Sequence, residues 1–174
     1  MENHIIESNR KKTAAPVITA DLLLDHWQGH RRLTRKVIVA FPEDKFYTYS
    51  VGGMRPFSEM VMEIIGLTAP GIRGIAMGEW KTEGKPALNS YTRAPGTKQE
   101  VLELWDLVTE QINALWPQIS PDRFQQTDVA FGQYEGPVHF IAMYLVDNEI
   151  HHRSQAYVYL RSLAIEPPAF WDRN

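Results

Sequence analysis

The sequence contains no cysteine. That excludes disulfides, thiolate metal sites and a cysteine nucleophile. Any metal site must then use imidazole, carboxylate, amide or water, a donor set open to Zn, Ni, Fe or Mn. There is no basic block, and the net charge is only −3 over 174 residues, so nothing points to nucleic acid as a partner. Charge interrupts every apolar stretch within about ten residues, short of the roughly 20 needed to span a bilayer, so no membrane segment is expected. The first residues, Met1-Glu2-Asn3-His4, are polar and lack the apolar core of a secretory signal, which makes a cytoplasmic protein the expectation. Gly71, Gly74 and Gly78 are not followed by a helix suited to a phosphate loop. Ser154 and Ser162 lie in a helical pattern with no nucleophile elbow, so a serine hydrolase is not indicated. There is no internal repeat and no low-complexity segment.

What remains is a chain of one-domain length with strong helical periodicity. Residues 1–18 are polar and read as a flexible N-terminal segment, leaving 19–174 as a single domain. Thr19 or Asp21 can cap a first helix that runs to about Phe41, with Leu23, Leu24, His26, Trp27, His30, Leu33 and Val37 on its apolar side. Pro56 opens a second helix through Phe57, Met60, Val61, Ile64, Ile65 and Leu67, and Pro70-Gly71 predicts a break or bend. Residues 71–96 read as irregular. Thr97 and Glu100 make a capping box for a third helix, whose core side is read as Val101, Leu102, Leu104, Trp105, Leu107, Val108, Ile112 and Leu115. A connector follows with a short strand near Asp128–Phe131, and then a fourth helix from about Pro137 to Leu163. Four long helices with two long connections predict an all-α, four-helix bundle with long crossover connections.

The fourth helix carries the main anomaly. Ile141, Leu145, Asn148, His152, Ala156, Tyr159 and Leu163 fall on one stripe, and two of them are polar and one turn apart. Polar groups on a buried stripe cost free energy unless something satisfies them. Asn148 and His152 either hydrogen-bond within the core or bind one ion together. His151 lies about 100° round the helix from His152, so the spacing assigns the inward role to His152. On the second helix, Glu63 stands at the edge of the apolar face beside Met60 and Leu67. It either reaches solvent or, turned inward, requires a cation or a proton. His26 and His30 form a second i, i+4 pair beside Trp27, a metal-ligand spacing, and read either as ligands themselves or as pocket lining that hydrogen-bonds the groups around a ligand. Arg153 reads as a surface ion-pair residue or as a handle for an anionic substrate. The five tryptophans are scattered along the chain, which reads as core packing.

The runs His26-Trp27-Gln28-Gly29-His30-Arg31, Arg55-Pro56-Phe57-Ser58-Glu59 and His151-His152-Arg153-Ser154-Gln155-Ala156-Tyr157-Val158-Tyr159-Leu160-Arg161 together resemble the DinB/YfiT-like superfamily. The last run is similar to that family's helix-four signature. The resemblance implies a four-helix bundle, a homodimer, and one divalent metal held by a histidine on helix two and a His-x-x-x-His pair on helix four. Those positions fall here on Glu63, Asn148 and His152, of which only His152 keeps the family's residue type. Such a mixed set suits a harder ion such as Mn or Fe better than three imidazoles would. The implied activity is that of a metal-dependent thiol transferase or hydrolase, with Trp27, His30, Tyr144 and His151 around the site. The alternative is a non-catalytic bundle that has lost its metal and acts by ligand binding or dimerisation.

Overall fold

The structure is a computed structural model that describes residues 17–80 and 92–174. Most of the expected N-terminal segment, and part of the connection before residue 96, lie outside the described residues. The chain forms α1 (Ala20–Ala40), α2 (Glu43–Phe46), α3 (Phe57–Met77), α4 (Lys98–Leu115), β1 (Thr127–Ala130), β2 (Tyr134–Pro137) and α5 (Val138–Ser162). Two single-turn 3₁₀ segments lie between α4 and β1.

Helix boundaries follow the capping chemistry read from the sequence. The Thr19 hydroxyl accepts from the Leu22 N–H at 3.2 Å and starts α1. Thr97 and Glu100 satisfy each other's backbone N–H groups and start α4. Gly78, at φ 76°, closes α3 in the left-handed conformation that glycine reaches without a Cβ penalty.

Three sequence expectations change. First, α3 continues through Pro70 to Met77 instead of breaking there. Gly71 and Gly74, read as loop glycines, lie on this helix and admit close neighbours. A Cβ on Gly71 would fall 2.7 Å from Leu145 Cδ1, and one on Gly74 would fall 2.1 Å from Trp80. By length and composition α3 could cross a membrane, with mean hydropathy 1.3, but 72% of that window is buried within the protein, as expected of a core helix. Second, the fold is mostly helical rather than all-α. The predicted strand pairs with Tyr134–Pro137 in a two-stranded antiparallel hairpin, and Phe131 and Gly132 turn it at positive φ. Third, Leu107 is exposed rather than in the core.

The arrangement of four long helices is consistent with the bundle expected from the sequence. Helix α3 packs against α4 and α5, and α1 packs against the same two. The core has two parts. One gathers Val37 and Ile38 of α1 and Phe41 just after it with Phe57, Met60, Val61, Ile64 and Ile65 of α3 and Ala156, Tyr159 and Leu160 of α5. The other gathers Trp27, Ile72, Ile75 and Trp116 with Val138, Ile141, Ala142, Leu145 and Val146 of α5. Between them, at mid-height, α1 and α5 contribute His30, Arg31, Thr34, Glu149, His152 and Arg153, all buried.

Candidate functional site

Glu63, Asn148 and His152 meet where α3 faces α5. His152 Nε2 lies 3.0 Å from Glu63 Oε1, and the Asn148 amide donates to the same oxygen at 3.3 Å. Arg55, just before α3, donates its guanidinium to Glu63 Oε2. The Gln155 amide nitrogen contacts Met54 Sδ, which turns its oxygen to His152 Nδ1 at 2.8 Å. Each ring nitrogen of His152 therefore faces an oxygen. Burial alone would raise the Glu63 carboxyl. The hydrogen bonds from His152 and Arg55, together with electrostatic attraction to the same two groups, outweigh it and hold the carboxyl below its ordinary range.

Arg55 also lines a cleft of about 870 Å³ with Tyr47, Ser58, Glu59 and Arg93. His151 is exposed beside His152, with ring centroids 5.0 Å apart. Trp27 and Tyr144 do not join this group. Trp27 is fully buried, edge-on to Trp116 at 5.9 Å, and Tyr144 is exposed.

A second polar assembly, between α1 and α5, escaped the sequence reading. Arg31 is buried, with its guanidinium carbon 3.3 Å from the centroid of the Trp105 ring. It donates to the Trp105 carbonyl at 2.8 Å and to Thr109 at 3.0 Å, and approaches Glu149 at 3.6 Å. Glu149, fully buried, accepts from the Thr34 hydroxyl at 2.6 Å. Burial pushes Glu149 up, opposed by Arg31, Thr34 and Arg153. Burial likewise lowers Arg31 to about 10, opposed by Glu149. Arg153 is buried rather than at the surface, and donates to Thr34 at 3.1 Å and to His30 Nδ1 at 2.9 Å. A guanidinium can only donate, so His30 must accept at Nδ1 and carry its proton on Nε2. That N–H points at His26 Nε2, 3.2 Å away. Burial first, then the charge of Arg153, lowers His30 to about 3, so the ring stays neutral. The signal for this layer was a broader buried stripe on α5, taking in residues 149 and 153 beside 152 and 156, rather than the single row read from periodicity.

A family model described as the DinB family matches residues 10–172. This chain belongs to the DinB family. Two solved structures share its fold. A DinB-like protein from Bacillus cereus ATCC 10987 has a TM-score of 0.68 at 20% identity, over 86% of this chain and 95% of that one. A DinB-like protein from Bacillus subtilis, YjoA, has a TM-score of 0.67 at 19% identity, over 87% of this chain and 99% of that one. No curated protein gives a significant match.

The resemblance of this DinB-family chain implies a metal among Glu63, Asn148 and His152, and their geometry tests the fit. Both Glu63 oxygens are engaged, one by a guanidinium, the other by His152 and Asn148. Asn148 turns its amide nitrogen, not its oxygen, to the shared point. A divalent cation bound to Glu63 would lie beside the Arg55 charge, which repels it. As arranged, the three side chains do not fit a tight divalent site.

Proposed function

We propose that this chain is a four-helix DinB bundle with crossover connections, in which the Arg55–Glu63–His152 ion-paired group takes the place of the metal. In this reading it acts by binding a small polar molecule in the cleft beside Arg55. The supporting observation is the Arg55 guanidinium on Glu63. It supplies the positive charge that an inward carboxylate requires, and it does so at the wall of the 870 Å³ cleft. The family's homodimer is carried over as a proposal, with Phe140, Met143 and Tyr144 as an exposed apolar face at i, i+3 and i+4 on α5.

A second reading keeps the metal. The convergence of Glu63, Asn148 and His152 within hydrogen-bond reach favours it, and it would make the chain a hydrolase or thiol transferase using Zn, Ni, Fe or Mn. Elemental analysis of purified protein separates the two. The ligand-binding reading expects well under one equivalent of any of these metals and a melting temperature unchanged by EDTA. It also expects Glu63→Ala to lower stability without altering metal content. One equivalent of metal in the wild type, lost in His152→Ala, would overturn it in favour of the metal enzyme.

A further inference from the structure

A second cleft, of about 480 Å³, opens on the opposite side of α5 from Glu63, and its walls carry an unbalanced positive charge. Ile150, Arg153, Ser154 and Tyr157 stand at i, i+3, i+4 and i+7 and form one face of α5, while His26 and His30 face them from α1. The C-terminal tail roofs the space with Phe170 and Arg173. The roof is held in place. Arg32 donates to the Arg173 carbonyl at 2.7 Å, and Lys36 pairs with Asp172 at 2.8 Å. Gly29 lets the tail lie flat on α1, because a Cβ there would come 3.3 Å from Arg173 Cβ.

The charges do not cancel. Among the described residues no carboxylate lines this cleft. Arg153 has Glu149 at 3.9 Å, but Glu149 already faces Arg31, so one buried carboxylate serves two buried guanidiniums. Among the described residues no carboxylate pairs with Arg173. The Tyr157 hydroxyl is buried without a hydrogen-bond partner among the described residues. After burial, the charges of Arg153 and Arg173 both help to depress His30, as expected of two guanidiniums beside one ring. An unpaired donor and surplus cations inside a small cleft are the complement of an oxyanion. Ile150, Phe170 and the Tyr157 ring supply apolar wall beside the polar Ser154, His26 and His30.

We propose that the cleft between α1, α5 and the C-terminal tail binds a small organic anion. Arg173 and Tyr157 would hold its carboxylate or phosphate head, and Phe170 and Ile150 would cover its apolar body. Arg153, fixed by His30 and Thr34, supplies charge from below and positions the site. The site is independent of Glu63, His152 and the cleft beside Arg55.

Benzoate and phenyl phosphate serve as probes, with phenol as the uncharged control, in calorimetric titrations at low salt. The expected result is binding of at least one of the two anions and none of phenol. The preferred anion identifies the head group. Arg173→Ala should weaken binding about tenfold, the effect of losing one charge-assisted hydrogen bond, while Arg73→Ala, which removes an arginine paired with Glu79 away from both clefts, leaves it unchanged. NMR should show the His26 and His30 ring resonances moving with anion concentration. The proposal is overturned if neither anion binds, if phenol binds equally, or if Arg73→Ala weakens binding and Arg173→Ala does not.

Discussion

Arg31 and Glu149 face each other with no access to water, and the energetic consequence is specific to that burial. Removing one member of a buried pair leaves the other charge uncompensated. Glu149→Ala is expected to lower stability by about 3–5 kcal/mol, measured by chemical denaturation. Removing both charges, as Arg31→Met with Glu149→Gln, should cost less than the two single changes added together. A double-mutant cycle is expected to give a coupling of about 1–3 kcal/mol, whereas additive single effects would show the two side chains to be independent. Residues of this kind are hard to read from sequence. The buried role of Arg153 depends on His30 and Thr34 of another helix, and a linear pattern treats all three as polar. Asn148 and His152 were legible because each interrupts an apolar row. Arg55, which decides how Glu63 is satisfied, precedes its helix and belongs to no periodic pattern.

At the scale of elements, the tightest constraint is the approach of Trp80 to α3. Gly74→Ala places a methyl group 2.1 Å from the Trp80 ring. It should lower stability by about 1–3 kcal/mol, with a change in tryptophan fluorescence as Trp80 is displaced. The hairpin is tied to the same helix end. Arg123 donates to the Gly74 and Ile75 carbonyls at 2.8 and 3.0 Å and pairs with Asp128 on β1. Burial would raise the Asp128 carboxyl, but the hydrogen bond from Arg123, the Val129 N–H and the Arg123 charge together help to outweigh it, and the carboxyl is lowered. A carboxyl depressed in the folded state contributes stability above its unfolded value, and that contribution is lost as pH falls through the folded value. Asp128→Asn should therefore cost about 1–3 kcal/mol near neutrality, and the difference from wild type should shrink below about pH 4. Equal differences at pH 7 and pH 3 would contradict this. The helices and their caps were legible from Thr19, Thr97 and Glu100 because capping is local chemistry. The passage of α3 through Pro70 was not, because packing on both sides of the helix overrides the local cost of proline.

For the whole molecule, the mostly helical fold was legible in the four long periodic runs, and the family in the runs at 26–31, 55–59 and 151–161. The two functional readings divide on metal content, and the same preparation reports the oligomeric state. If Phe140, Met143 and Tyr144 form the dimer face, Met143→Lys should shift the protein to monomer by light scattering without lowering its melting temperature by more than a few degrees. An unchanged mass would remove that face from the proposal.

The charged layer at mid-height also indexes the helices against each other. A slip of α1 along α5 by one turn, about 5.4 Å, would carry Arg31 and Thr34 away from Glu149 and set that carboxylate against Trp27 and His30 in one direction, or Arg35 and Ile38 in the other. The two apolar parts of the core would tolerate such a slip, since either offers a similar greasy surface, but the layer has a single docking register. Its cost in desolvation is then the cost of a unique alignment. The charge-free double variant should accordingly remain compact while its NMR spectrum broadens, as alternative registers become populated. A spectrum as sharp as that of the wild type would show that the apolar packing alone selects the alignment.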